Sequence, residues 1–515
     1  MKRLGRWLLG WGIIMMVVGY GWWWVSDEPL WQEKVSGMVV AAARQGEVEM
    51  LVILEEQADL EGAERVLGKE AKGRYVYERL RDVAGRSQAP LLAHLEVVGV
   101  PYRAYWIQNM IWVRGDERLV RWLAARPEVA WIGPNPVVGF DEPMWVEGET
   151  LGGGVPWGVA EVDAPSWWSG GITGEGIVIG GQDTGYEWTH EALRGSYRGW
   201  DGETAVHDYH WHDAIHVDNG DCMGDSVAPC DDYGHGTHTM GTAVGNNLDR
   251  GEGGWPGAAS EAIGVAPGAQ WIGCRNMNNG NGTPASYAEC YEWFIAPYPR
   301  GGDPLTDGRP EMAPHVISNS WSCPPSEGCT EVGVLAEVVA AVRAAGIVTV
   351  HSAGNSGAGG CGTVNTPAAI YADSLTVGAV GPNGGVTSFS SRGPVTVDGS
   401  NRLKPDVMAP GLGVRSAALN NRYNSGSGTS MAAPHVAGMV ALLLAAEPAL
   451  IGDVAGVEAW LKGTAAAVVT LEGCGGDEAD SVPNHTYGWG TIDGNILLRE
   501  GILDEDMYLP AVVGE

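Results

Sequence analysis

The chain has 515 residues, 44% of them hydrophobic, with 78 glycines and 29 prolines. That length exceeds one average domain and leaves room for two folded units plus tails. Its formal net charge of −32 is uneven: residues 1–150 hold 17 basic and 21 acidic side chains, and residues 151–515 hold 14 and 42. Such acidity argues against a nucleic-acid or anionic-lipid partner for the larger part.

The N-terminus places Lys2, Arg3 and Arg6 before an uncharged run from Trp7 to Val25 that ends in Trp22, Trp23 and Trp24. A basic flank followed by an apolar run reads as an export segment over residues 1–28. The run is long enough to span a bilayer, and the tryptophans suit its interface. No small-x-small cleavage site follows, so a cleaved signal peptide and an uncleaved signal anchor both stay open. No later stretch reads as a second span. The remainder is therefore expected outside the cytoplasm, either secreted or held at the cell surface.

Residues 46–137 form the first candidate domain. VEMLVILEE reads as a strand, and Glu61 to Val98 reads as helical with a break near Ser87-Gln88-Ala89-Pro90. PYRAYWIQNMIWVRG reads as β structure, DERLVRWLAARP as a short amphipathic helix and EVAWIGP as a last strand. Strand, helix, strand pair, helix, strand is a ferredoxin-like α+β order. Residues 138–155, with Pro143, several acidic residues and the run Gly152-Gly153-Gly154, suit an exposed linker open to proteolysis.

From 156 to 500, short β-branched runs alternate with helical patterns. GIVIGGQ, IGCRN, HVISNSW, GIVTVHSAG and SLTVGAV read as strands, and VLAEVVAAVRAAG and SMAAPHVAGMVALLLAA as helices. This alternation predicts an α/β fold, a three-layer, mainly parallel sheet with helices on both faces. Asp183 and Asn355 follow strand-like runs, at the carboxyl ends where such sheets bind ligands. Residues 501–515 read as a brief C-terminal tail.

All eight cysteines lie within residues 222–474, which suits an oxidising compartment. Cys222 with Cys230 and Cys323 with Cys329 are close enough to be local staples. Cys274 with Cys290 is a plausible third pair, and elimination leaves Cys361 with Cys474. No C-x-x-C spacing supports zinc or redox chemistry.

Three stretches carry the chemistry: QDTGYEWTH around Asp183, GHGTHTMG around His235 and GTSMAAPHVAG around Ser430. A fourth, HSAGNSG, adds Asn355. A serine hydroxyl is barely ionised at neutral pH and needs an adjacent base, which in turn needs an orienting group. Ser430 stands at the start of an alanine-rich helix, where unpaired backbone N–H groups gather. Pro434 is expected in the opening turn of that helix rather than its interior. Asp183-Thr184-Gly185 also matches the aspartic-peptidase string, but that chemistry needs a second such carboxylate and none occurs. The nucleophile-elbow pattern Gly-x-Ser-x-Gly of many esterases is absent around Ser430.

The four stretches, in the order Asp, His, Ser, resemble the subtilases, the subtilisin-like serine peptidases. The resemblance implies catalytic Asp183, His235 and Ser430, with Asn355 in the oxyanion hole and His238, His435 and His190 as packed neighbours. It implies that Ser320, Trp321 and Ser322, with Ser352, Ala353 and Gly354, wall the pocket for the residue before the cleaved bond. Ser322 stands where the common pattern has Gly, which leaves the pocket's shape open. SNSWSCPP is similar to a bacillopeptidase F-like branch of the family. The first domain resembles the propeptide that subtilases carry, which implies a self-processing precursor cleaved within residues 138–155. The expected activity is a serine endopeptidase acting on proteins or peptides, with its own propeptide as intramolecular inhibitor. No cofactor is required for this chemistry. The run HDYHWHDAIH, followed by Asp218, Asp221 and Asp225, lacks zinc-ligand spacing; calcium as a structural ion is the metal expectation.

Overall fold

The computed structural model describes residues 31–139, 143–146, 154–218, 221–246, 262–324, 328–329 and 331–495. The export segment, residues 140–142 and 147–153 of the linker, and the tail lie outside them.

The first unit contains β1 (Val48–Leu54), β2 (Tyr102–Tyr105), β3 (Met110–Gly115) and β4 (Val129–Pro134), an antiparallel sheet in the order β2-β3-β1-β4. Its helices are α1 (Gly37–Ala43), α2 (Lys69–Ser87), α3 (Ala89–Val98) and α4 (Glu117–Ala124). The expected break falls at Gln88, whose amide donates to Tyr105 O at 2.8 Å and to Asn109 Oδ1 at 2.9 Å. Asp116 accepts from Arg118 N and Leu119 N and so caps α4. Two boundaries differ from expectation. The unit begins earlier, because α1 buries Val39 and Ala43 in the same core as Met50, Val52 and Ile132. The stretch Glu61–Arg65 is a separate 3₁₀ turn rather than the start of the long helix.

The larger unit is built on seven parallel strands: β5 (Val178–Asp183), β6 (Trp211–Asp213), β7 (Gln270–Arg275), β8 (Val316–Asn319), β9 (Val348–Ser352), β10 (Leu375–Val380) and β11 (Val407–Pro410). Their order is β11-β10-β9-β8-β5-β7-β6. Alternating residues feed two cores, with Val316 in one and Ile317 in the other. On one face lie α5 (His235–Val244) and α8 (Thr429–Ala446); on the other lie α6 (Pro284–Ile295) and α7 (Ala336–Ala344). That is a three-layer α/β fold, as the sequence predicts. The first unit packs outside α6 and α7, where Val76, Tyr77, Leu80 and Trp106 share a core with Tyr291 and Val338.

The linker is not wholly exposed. Val138–Gly139 pairs with Asn281–Gly282, and Met144–Val146 pairs antiparallel with Ser425–Ser427. Its composition is that of a loop; its structure comes from strand partners in the larger unit.

Candidate active site

Asp183 ends the interior strand β5 and is 2% exposed. His235 opens α5, and its Nδ1–H donates to Asp183 Oδ1 at 2.7 Å. Thr184 N also donates to that oxygen at 2.8 Å. Gly236 permits the approach: a Cβ there would stand 2.1 Å from Gly185 O and 3.0 Å from Asp183 Cβ.

Asp231 ties the strand end to the helix, a residue that the sequence reading missed. Its Oδ1 accepts from Thr184 Oγ1 at 2.8 Å and Gly234 N at 2.7 Å, and its Oδ2 from Thr237 N at 3.0 Å. The available signal was an aspartate just ahead of a helix start. The other histidines of the four stretches pack as neighbours. His238 Nε2–H donates to Val414 O, and burial pushes its pKa down to about 3. His435 Nδ1–H donates to Met431 O, and burial lowers its pKa to about 4. His190 caps a short helix and bonds Arg422 O.

Ser430 is the second residue of α8. Its Oγ–H donates to Ser320 O at 3.1 Å, and Ser320 Oγ–H donates back to Ser430 O at 3.0 Å. Pro434 lies inside the helix, not in its opening turn. A proline at that place supplies no N–H to the carbonyl four residues earlier, which is the Ser430 carbonyl that Ser320 serves. Asn355 turns its Oδ1 to Thr429, accepting from N at 2.9 Å and Oγ1 at 3.0 Å. Its Nδ2 is thereby the end that can donate to an oxygen in the pocket.

Ser320, Trp321, Ser322, Ser352, Gly354, Asn355, Thr429 and Ser430 line one small pocket. The structure thus brings five of the six expected wall residues together with Ser430 and Asn355. Ala353 is the exception, since its side chain lies in the hydrophobic core. Trp321 is fixed by stacking on Tyr287 with ring centroids 4.0 Å apart. The four disulfides pair Cys222–Cys230, Cys274–Cys290, Cys323–Cys329 and Cys361–Cys474.

The middle of the histidine-rich run, Trp211–Asp213, forms edge strand β6. Among the described residues no group of three or more His, Cys, Asp or Glu side chains is placed to hold a metal ion. Asp218 accepts from Gly224 N, and Asp225 engages His216 Nδ1. His207 meets Tyr197 OH at 3.0 Å, and His210 Nδ1–H donates to Val206 O. His212 and His216 both direct Nε2 to Glu289 Oε1, at 3.0 and 3.1 Å.

Glu289 and Glu292, on α6, also went unread in the sequence. Glu289 accepts from Arg103 Nη1 at 2.9 Å and Tyr105 OH at 3.1 Å, both in the first unit. Burial opposes its charge, yet Arg103, His216 and His212 hold its carboxyl well below the usual range. Glu292 accepts from Trp106 N and Ile107 N.

The subtilase family description matches residues 174–490. Bacillopeptidase F of Bacillus subtilis (strain 168) is 33% identical over 437 residues, covering 81% of this chain and 28% of that protein. M-protease of Shouchella clausii (strain KSM-K16) is 30% identical over 317 residues, 61% of this chain and 66% of that protein. Subtilisin Savinase of Lederbergia lenta is 31% identical over 297 residues, 57% of this chain and 86% of that protein. The chain therefore spans less than two thirds of the first two relatives and most of the third.

Proposed function

The chain belongs to the subtilase family, and from that premise we propose that it is an exported serine endopeptidase made as a self-processing precursor. Ser430 Oγ attacks the scissile carbonyl while His235 takes its proton. Attack requires the hydroxyl to turn from Ser320 O toward the imidazole. Asp183 holds the tautomer through its bond to Nδ1 and stabilises the imidazolium without taking the proton. The tetrahedral oxyanion is met by Asn355 Nδ2 and the Ser430 N–H at the start of α8. Collapse expels the amine, which receives the proton from His235, and leaves an acyl-enzyme on Ser430. Water, activated by the same imidazole, then releases the acid. The observation that supports this reading is the buried 2.7 Å Asp183–His235 pair, together with a serine at a helix start that shares a pocket with Asn355.

The first unit acts as folding aid and inhibitor. Its docking on α6 through Arg103, Tyr105 and the Trp106–Ile107 backbone supports that role, as does the strand pairing of the segment after it. Processing falls within residues 138–155. Substrates are proteins or peptides, with Ser320, Trp321, Ser322, Ser352 and Gly354 around the residue before the cleaved bond. The basic-flanked apolar run at the N-terminus supports export, and four disulfides suit an oxidising destination. A fluorophosphonate probe tests the chemistry, since it labels only an activated serine. Labelling lost in Ser430→Ala and in His235→Ala is expected; labelling of the Ser430→Ala chain at another serine sinks the assignment.

A further inference from the structure

A cavity of about 680 Å³ opens at the amino ends of the parallel strands, the opposite end of the sheet from Asp183. Val178 and Gln270, which begin β5 and β7, line it, as does His315, just ahead of β8. The first unit supplies the facing wall, from Leu67 to Ala71 together with Arg74. The cavity is therefore complete only while the two units are docked.

Its donors lack an anionic partner. Lys69 is 9% exposed, and its Nζ donates to the neutral Ala313 O at 2.8 Å. Arg198 Nη1 donates to Met312 O at 2.9 Å, while Nη2 meets only the Met312 thioether, with Sδ at 3.6 Å. A thioether is a weak acceptor and leaves that N–H poorly served. Val178 N donates to His315 Nδ1 at 3.0 Å. The His315 proton is thus on Nε2, a donor with no acceptor among the described residues. Burial and the charges of Lys69 and Arg198 push the His315 pKa down to about 3, so both cations act on that ring. Of the two carboxylates on the wall, Glu70 pairs with Arg74 at 2.8 Å and Glu311 is exposed. No side chain caps α2, whose first residues Lys69, Glu70 and Ala71 also face the cavity. Their N–H groups add positive potential at the helix start. Two cations brought together at a buried junction without a counter-charge oppose docking, and an anion between them removes that cost.

We propose that Lys69, Arg198, His315 and the first turn of α2 form a binding site for a small oxyanion, sulfate or phosphate, that bridges the two units and stabilises the docked precursor. Residues 151–515 carry 42 acidic and 14 basic side chains. That excess repels polyanions and anionic membranes, so the ligand is the free ion. The site is remote from the catalytic residues and does not depend on the peptidase reading.

Equilibrium dialysis of the uncut Ser430→Ala chain against radiolabelled sulfate tests it. Ionic strength is held constant with chloride, at about pH 6, where Lys69 keeps its proton. One sulfate per chain should bind, half-saturating at or below ~1 mM, the scale of a few charge-assisted hydrogen bonds. Unlabelled orthophosphate should displace it completely. Lys69→Met and Arg198→Met should each weaken uptake about tenfold or more, since each removes one charged donor. No saturable uptake by the Ser430→Ala chain below about 10 mM overturns the site, whether or not the further variants fold. Uptake unchanged in either variant places the ion elsewhere and overturns it equally.

Discussion

Ser320 and Ser430 exchange hydroxyl-to-carbonyl hydrogen bonds, Ser430 Oγ to Ser320 O at 3.1 Å and Ser320 Oγ to Ser430 O at 3.0 Å. The second bond exists because Pro434 leaves the Ser430 carbonyl without its helical donor. Ser320→Ala should therefore cost about 1–3 kcal/mol, the penalty of a buried carbonyl left unpaired. Denaturant titration in a Ser430→Ala background, which prevents self-digestion, measures it. Pro434→Ala restores an N–H, so the same serine change should cost less in that background. An identical loss in both backgrounds would show that the carbonyl is not the partner that matters.

The catalytic roles predict graded losses. Ser430→Ala should lower turnover by ~10⁶ and leave the precursor uncut. Asp183→Asn should lower it by ~10⁴, because the amide no longer fixes the donating tautomer at Nδ1. Normal self-cleavage of the Ser430→Ala chain contradicts the nucleophile.

The Oδ1 end of Asn355 serves Thr429, and substitution separates that duty from the proposed oxyanion donor at Nδ2. Asn355→Asp keeps an acceptor for Thr429 N and Oγ1 but loses the donor. Turnover should fall by ~10²–10³ with KM little changed. If turnover stays within about threefold of native, the amide is only a turn residue and the oxyanion lies elsewhere.

Legibility followed how self-sufficient each segment is. β5, β9 and β10 are short β-branched runs, buried on both faces, and the sequence marks them by composition alone. α5 was invisible because HGTHTMGTAV is rich in Gly and Thr, weak helix formers that tertiary packing overrides. α6 is buried on every side, so its Ser286, Glu289 and Glu292 do not mark a solvent face and no apolar–polar alternation of a surface helix can be detected. With α6 unread, Glu289 and Glu292 could not be seen as a docking pair. Trp145 likewise acquires its strand only through Gly426. Asp183, His235, Ser430 and Asn355 could be proposed from the sequence because each sits inside a multi-residue string.

The Cys361–Cys474 bond closes a separation of 113 residues and ties the segment bearing Glu472 to residues 361–363, where Gly362 N donates to Gly393 O and Thr363 N to Arg392 O. Glu472 in turn engages the Arg392 side chain. Loss of the disulfide, by Cys361→Ser with Cys474→Ser, should cost about 2–5 kcal/mol, since long loops gain most unfolded-state entropy. The melting temperature of the Ser430→Ala chain reports it. A change below about 1 °C, short of what ~2–5 kcal/mol moves in a chain of this length, rules out a stabilising role.

Glu289 predicts a docking defect. Glu289→Ala leaves Arg103 and Tyr105 without their shared acceptor, and truncating one partner of a buried charge pair weakens binding by about 2–5 kcal/mol. Residues 31–137, added to processed enzyme, should inhibit the native form far better than the variant. Equal inhibition constants would remove Glu289 from the contact.

Lys69 gives the same contact a pH dependence with a definite sign. It lies on α2, and its Nζ donates to Ala313 O at 2.8 Å across the junction. Burial, assisted by Arg198 and opposed by Glu70, lowers its pKa from 10.5 to about 7. Below pH 7 docked and free forms both hold the proton, and the cost of burying that charge is complete. Between about 7 and 10.5 the free form holds a proton that the docked form lacks, so docking tightens as pH rises, by at most about tenfold per pH unit. Above that window both forms are neutral and the dependence ends. Inhibition by residues 31–137 should accordingly strengthen from pH 7 to pH 9, and Lys69→Met should flatten the curve by removing the titrating group. Parallel slopes for native and variant would assign the pH dependence to another group.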